Sequence, residues 1–365
     1  MNLSSKKFGS LCLVVFVLLA IGVPTFAGKP ARVDHKALQN TPIQLGTSGG
    51  SVIELANGYC CSGTLGALVR DPHNGALFVL SNTHVFAGDS VAGGNQKVAK
   101  DGDDINHPGF VDTSCGANTN IIVADLSDWC PIVPGGVTLV DAAIAQIRPG
   151  MVSPDGAILE IGTLSSVTLA AFPGLGVKKS GRTSGLTRST VESLNATISV
   201  GYSTECAGSS YTSTYRGQIL VKNRRFLNAG DSGSLMVEDV PTNPRAVGLL
   251  YAGSNTIAVA NPISAVLAYF DVEMVGAAGA AGTETPAGEG LSRAELARAI
   301  RVQQLNEGLL LGTPGAIGHA VGAGNGRAVI KVLVEELSPE AVLGAPREIE
   351  GIQVVVEPIG KIMAY

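Results

Sequence analysis

The sequence predicts an all-β protein arranged as two barrels and followed by a small α+β tail. Three features carry that expectation. Glycine is abundant, at 47 of 365 residues, while charged residues make up only 15% of the chain. The apolar residues fall in short runs broken by turn signals, which suits sandwiches and barrels better than helical bundles. A small-residue stretch near position 280 then separates this pattern from a last segment that alternates helix and strand signals.

The first residues read as an address label. Lys6 and Lys7 precede an apolar run from Leu11 to Val23 and then Thr25-Phe26-Ala27. That is a basic region, a hydrophobic stretch too short to span a bilayer, and a small-x-small cleavage site. A signal peptide over residues 1–27 is therefore expected, with export of the remainder to the periplasm or the medium. No later apolar run approaches the length of a membrane span, so no membrane association is expected after cleavage.

Thr64–Val69 and Ala76–Leu80 flank Asp71-Pro72-His73-Asn74-Gly75, and Asn-Gly between β-rich runs is a strong hairpin signal. Further strands are expected within Gly136–Ile147 and near Val191–Val200, Gln218–Val221, Ser234–Val237, Ala246–Tyr251 and Thr256–Val259. Asn261-Pro262 supplies an N-cap and an N1 proline for a helix through Phe270. This succession over residues 28–275 describes the two-barrel domain. Residues 276–290 have almost nothing to bury and read as a flexible linker. In residues 291–365, Ser292-Arg293-Ala294-Glu295 is a capping-box pattern opening a helix toward Leu311. Strands at Ala328–Val334 and Ile352–Val356 flank a short helix starting at Ser338-Pro339-Glu340. The expectation is a movable accessory domain, dispensable for chemistry in the first.

A net charge of −5 without a basic cluster argues against nucleic acid, whose phosphates demand Lys and Arg. Asp101-Gly102-Asp103-Asp104 lacks the ligand spacing of a calcium loop, so no metal and no cofactor is expected. His35, His73, His107 and His319 stand outside any motif and are expected in solvated loops. Without Cys12, the exported chain has Cys60, Cys61, Cys115, Cys130 and Cys206, an odd set. Adjacent Cys60 and Cys61 bridge each other only with strain, so one bridge to a distant partner is expected there. Cys115 with Cys130 is the other expected bridge.

Three segments carry chemistry. Ser81-Asn82-Thr83-His84-Val85 places a histidine just past an apolar strand. Val140-Asp141-Ala142-Ala143-Ile144 holds a lone carboxylate in apolar β sequence, costly to bury unless something donates to it. Asn228-Ala229-Gly230-Asp231-Ser232-Gly233-Ser234 has glycines that permit a tight turn in which the N–H groups of Gly230 and Ser232 can aim at one oxygen. Gly-Asp-Ser-Gly alone is ordinary turn chemistry. With the histidine and the aspartate in that order, it supplies a nucleophile, its base, an orienting acid and oxyanion donors.

Over roughly Val52 to Phe270 the sequence resembles the chymotrypsin-like (trypsin-like) serine peptidases, secreted bacterial type. The resemblance implies a double β-barrel, with His84 as general base, Asp141 as its orienting acid and Ser232 as nucleophile. It also implies that Gly230 and Ser232 form the oxyanion hole and that Tyr251, Ala252 and Gly253 pair with substrate backbone. The expected activity is a serine endopeptidase acting on peptide or protein substrates. A catalytically silent binding protein on the same fold, or an esterase with the same triad, are the alternatives. Gly181-Arg182-Thr183-Ser184-Gly185 resembles a loop of secreted bacterial members and carries no expected role. Several positions depart from the family. No Ile-Val-Gly-Gly sequence follows the leader, so Asp231 does not await a freshly cleaved amine. Val85 stands where the family often has a cysteine, and Phe226 where a preference for Lys or Arg would need aspartate.

Overall fold

The computed structural model describes residues 1, 33–53, 60–88, 98–116, 120–203, 210–278 and 291–364. Apart from Met1, the expected signal peptide lies outside them, as does Cys206. Val33–Tyr365 forms one compact unit.

The first barrel is built from β1 (Thr47–Ser51), β2 (Gly63–Leu65), β3 (Ala67–Arg70), β4 (Leu77–Ser81), β5 (Asp104–His107) and β6 (Ile121–Trp129). After β7 (Val137–Thr138), which joins the second sheet, β8 (Ala143–Ile147) completes it. The order β3-β4-β8-β6-β5-β1-β2 closes on itself because β2 and β3 are one strand interrupted at Gly66. Its first half pairs with β1 and its second with β4. The expected hairpin is present, Val69 facing Phe78, with Gly75 at φ +78° and Asp71 and Asn74 side chains accepting from His73 N and Ala76 N. Ile105, Val79, Leu80, Leu126 and Ala145 fill the interior.

The second barrel comprises β9 (Gly176–Gly181), β10 (Gly185–Tyr202), β11 (Tyr211–Lys222), β12 (Leu235–Glu238), β13 (Ala246–Gly253) and β14 (Ile257–Pro262). Their order is β10-β9-β12-β13-β14-β11, and β10 pairs with β11 to close the ring. Eighteen residues long, β10 bends through three register shifts and a left-handed Asn195. The all-β double barrel of the chymotrypsin-like kind is therefore what the chain forms, its strand alternation having fixed which faces are buried. α1 (Thr83–Phe86) follows β4, and α2 (Ile263–Phe270) follows β14. Pro262, not Asn261, holds the N-cap position of α2, because the side chain of Asn261 is engaged elsewhere.

β15 (Glu273–Met274) pairs with β3, and the chain beyond it packs against the segment leading into the second barrel as far as Ala277. Gly276 packs where a Cβ would lie 2.4 Å from the Leu164 carbonyl, and Ala277 bridges to Ser165. Residues 279–290 lie outside the description. The following α3 (Arg293–Leu305), α4 (Glu307–Leu311), β16 (Ala316–Gly324), β17 (Arg327–Val334), α5 (Pro339–Gly344), β18 (Glu348–Ile349), β19 (Ile352–Pro358) and β20 (Met363–Ala364) extend the second sheet. β16 pairs with β10 at Ser193↔Gly322 and Thr197↔His319. The Ser292 hydroxyl caps α3 by accepting from Glu295 N at 3.1 Å, while the Glu295 carboxylate accepts from Ala328 N instead of closing the box. This α+β segment shares an apolar core with the barrel: Ile359, Ile362, Ala320 and Leu333 pack with Tyr202, Tyr215 and Tyr251.

Two further expectations are corrected. Cys115 pairs with Cys60, not Cys130; Cys61 is also disulfide-bonded, and Cys130 is a buried free thiol. Of the four histidines expected in solvent, His73 is exposed, but His35, His107 and His319 are buried because backbone and side-chain partners replace water. His35 contacts Gly46 O and Glu160, His107 contacts Ser48 O and accepts from Gln39 N, and His319 meets Gln303.

Candidate active site

The first barrel presents His84 at the start of α1, immediately after β4. Thr83 anchors this turn by placing its hydroxyl against the carbonyls of Cys130 and Ala142, 2.9 and 2.8 Å away. Asp141 lies two residues before β8 and is fully buried. Its Oδ2 accepts from His84 Nδ1 at 2.6 Å, and its Oδ1 faces the His84 backbone N–H at 3.3 Å. A carboxylate at Nδ1 fixes the tautomer, making Nε2 the basic nitrogen. Asn82 and Asn261 grip the backbone of Asp141. Both amides donate to its carbonyl, at 2.7 and 3.1 Å, and Asn261 Oδ1 accepts from its N–H at 3.2 Å.

The aspartate has another donor. The Tyr202 hydroxyl gives its proton to Asp141 Oδ2 at 2.9 Å, so the adjoining Tyr215 hydroxyl must be the donor in the contact between the two. Burial, then the negative charge of Asp141, raises the pKa values of both Tyr202 and Tyr215 well above 10, so both phenols stay neutral donors. A buried carboxylate with three donors is the arrangement that offsets its desolvation.

Ser232 comes from the second barrel, in the turn between β11 and β12. Gly230 at φ +89° and Gly233 at φ +88° occupy left-handed backbone conformations that strain any other residue. The turn's own bonds use Asp231 N to Asn228 O and Gly233 N to Leu250 O; among the described residues, the N–H groups of Gly230 and Ser232 take no part in them. Backbone contacts tie the turn to the first barrel. Thr64 N donates to Ser232 O at 2.8 Å, and a Cβ on Gly66 would lie 1.9 Å from Gly233 O. A Cβ on Gly63 would lie 2.5 Å from Val85 Cγ2 and 3.0 Å from Ser232 O, so one glycine separates the turn of His84 from that of Ser232. Ser232 Oγ lies 3.2 Å from the carbonyl of Tyr251.

Asp231 lies in a buried socket. Lys179 Nζ sits 3.1 Å from Oδ2, both side chains being fully buried. Thr183 N and Ser184 N donate to Oδ1 at 2.9 and 3.0 Å, the Ser184 hydroxyl donates to Oδ2 at 2.5 Å, and Asn228 N donates to Oδ2 at 3.0 Å. An internal cation thus pairs with Asp231, and the loop at 181–185 holds the turn of Ser232. Arg182 also makes a bidentate pair with Asp112 of the first barrel, at 2.6 and 2.7 Å.

Of the expected residues, the structure joins His84 to Asp141 and sets Ser232 against the carbonyl of Tyr251. The phenol of Tyr251 is buried beside Tyr215, with ring centroids 4.9 Å apart. Ala252 and Gly253 lie on a strand edge that β20 covers. Tyr202, Asn82, Asn261 and Lys179 were missed as site residues. Asn82 adjoins the histidine in sequence, but Tyr202 and Lys179 sit in ordinary strand text with no local signal. Among the described residues no cluster of His, Cys, Asp and Glu could hold a metal ion.

These barrels and their seam define an all-β double-barrel protein of the chymotrypsin-like fold. No family model matches the chain and no curated protein matches it. Solved structures of serine proteases do match. The chain is similar to a glutamic acid-specific serine protease described as using a histidine triad in substrate binding, with 18% identity, 64% of this chain and 100% of that one covered, and a TM-score of 0.42. It is similar to Thermobifida fusca Protease A, with 18% identity, coverage of 59% and 92%, and a TM-score of 0.38. A third match is alpha-lytic protease homolog N4, with 16% identity, coverage of 63% and 98%, and a TM-score of 0.40.

Proposed function

We propose that the chain is an exported serine endopeptidase that hydrolyses peptide bonds through His84, Asp141 and Ser232. The observation that carries this reading is the 2.6 Å contact from His84 Nδ1 to the buried Asp141 carboxylate, set beside a serine on a glycine-flanked turn. In this mechanism Ser232 Oγ attacks the substrate carbonyl carbon while His84 Nε2 takes its proton. The carbonyl oxygen gains negative charge and receives hydrogen bonds from the N–H groups of Gly230 and Ser232. The C–N bond then breaks, the leaving amine takes the proton from His84, and an acyl-enzyme remains. Water attacks that ester with His84 again as base, releasing the acid and restoring Ser232. Asp141 keeps its bond to Nδ1 throughout and holds the imidazolium.

Export rests on the signal-peptide pattern at residues 1–27 and agrees with disulfide-bonded Cys60, Cys61 and Cys115. No helix among the described residues is long and apolar enough to cross a membrane. Incubation with a fluorophosphonate followed by peptide mapping tests the nucleophile. An adduct on Ser232 is expected, and its absence in folded protein would favour a silent binding protein. Digestion of an unbiased peptide library is expected to yield internal cleavages, whereas rapid ester turnover without them would indicate an esterase.

A further inference from the structure

We propose that Met363–Ala364 is a resident ligand of the chain's own peptide-binding edge, holding the candidate site in a self-inhibited state. The edge in question is the margin of β13 at Tyr251, Ala252 and Gly253, and its assignment to substrate rests on the peptidase reading above.

The edge exists because β12 stops short. β12 pairs with β13 at Leu235↔Leu249, Met236↔Gly248 and Val237↔Ala246, whereas the chain before Leu235 turns off into the loop of Ser232. On its other side β13 stays paired with β14 as far as Gly253. The last three residues of β13 therefore have one margin that β12 cannot cover, beginning at the carbonyl that Ser232 Oγ contacts. A bare strand margin recruits an extended chain, with backbone hydrogen bonds as the binding force.

β20 takes that place. It runs antiparallel to β13, Gly253↔Met363 and Ala252↔Ala364, so its direction is toward Tyr251 and Ser232. This is how a peptide would enter to present a carbonyl to the serine. On the opposite side β20 meets β10 at Gly201↔Met363, and Gly201 N donates to Ile362 O at 2.9 Å. Gly201 leaves room for the incoming side chain, since a Cβ there would lie 2.7 Å from Met363 Sδ. The neighbour of Gly201 is Tyr202, which bonds Asp141.

The occupant has a firm base. Ile359 and Ile362 are buried among Tyr202, Tyr215 and Tyr251. The Thr256 hydroxyl donates to Ile359 O at 2.9 Å, joined by the Ser254 hydroxyl, and Ile359 N donates to Val334 O. Beyond that anchor, among the described residues, two residue pairs hold β20 to β13. A substrate strand can displace two pairs without dislodging the anchor, which describes a strap and not a permanent plug.

The test compares the full chain with two variants that free the edge. Ala364→Pro disrupts the strand that pairs with β13, and Met363→Asp places a charge in the apolar space beside Gly201 while leaving that space free for an incoming peptide. The probe is a synthetic peptide of residues 359–364, Ile-Gly-Lys-Ile-Met-Ala, carrying an N-terminal fluorophore, with binding read by fluorescence polarisation. The variants are expected to bind it about tenfold more tightly than the unaltered chain, the order of effect of one or two backbone hydrogen bonds. Equal binding by all three folded proteins, or binding by none, would overturn the assignment. Fluorophosphonate labelling reports separately on the chemistry. Faster adduct formation at Ser232 in the variants supports occupant and peptidase together. Peptide binding gained by the variants without any Ser232 adduct would retain the occupant and remove the peptidase.

Discussion

Tyr202 donates its hydroxyl to the same Asp141 oxygen that accepts from His84, so one buried atom carries both bonds. The phenol shares the task of stabilising the carboxylate with the imidazole of His84. A hydrogen bond to a charged group contributes about 1.5–3 kcal/mol. Tyr202→Phe is expected to lower kcat about tenfold with little change in KM, and to lower the thermal midpoint. Unchanged kcat in a folded variant would assign the hydroxyl to packing alone.

The proposed triad has a non-additive signature. Ser232→Ala and His84→Ala are each expected to lower kcat by on the order of 10⁶, and the double variant scarcely further. Asp141→Asn is expected to cost about 10⁴, because the charge and the correct tautomer are lost together. Steady-state rates on one substrate check this, and a fully active Ser232→Ala protein would end the mechanism.

Lys179 and Asp231 form an ion pair with neither side chain exposed. Lys179→Met leaves the aspartate without its cation in a buried socket, a change that typically costs about 3–5 kcal/mol. Chemical denaturation should show the loss, and Ser232 labelling should slow because Asp231 precedes the nucleophile directly. Wild-type stability in Lys179→Met would mean that the four other donors to Asp231 suffice.

His107 gives the fold an acid-sensitive element. Its Nδ1 donates to Ser48 O and its Nε2 accepts from Gln39 N, so it is held as the neutral ring. Burial first of all lowers its pKa below the ordinary 6.5, with Ser48 O and Asp112 opposing. The unfolded chain therefore takes up the proton at higher pH than the folded one. The contribution is full above about pH 6.5 and declines as the pH falls below it. Urea midpoints between pH 7.5 and 5 should show this slope, and His107→Gln should remove its share.

The thiols provide a direct check on connectivity. Burial, the leading cause, raises the pKa of Cys130, so it should resist iodoacetamide in the native protein. In denaturant without reductant, Cys130 should take the label while Cys60, Cys61 and Cys115 do not. Labelling of Cys115 under those conditions would contradict its bond to Cys60.

The barrels were legible because alternation and turn chemistry are local. Asn74-Gly75 marked a hairpin, and Gly230 and Gly233 marked a turn, from neighbours alone. What escaped depends on partners distant along the chain. Asn261 reads as a helix cap from its proline, yet its amide serves Asp141; Tyr202 reads as one more strand aromatic. The tail's composition suggested a tethered module, but Ile359 and Ile362 complete an apolar cluster with Tyr202, Tyr215 and Tyr251, which no local pattern announces. Cys115 had a nearer candidate in Cys130, and the fold brought it to Cys60 instead.

The covering of β10 by β16 and of the β13 margin by β20 also governs when the molecule can be finished. These strands are synthesised after both barrels, so the barrels can form hydrogen bonds while their outermost positions still await residues not yet made. Such distant pairing is slow to close. A growing chain would thus hold His84, Asp141 and Ser232 before the segment that covers the β13 margin exists, and under the proposed function the interval between the two events is the time during which that margin stands open.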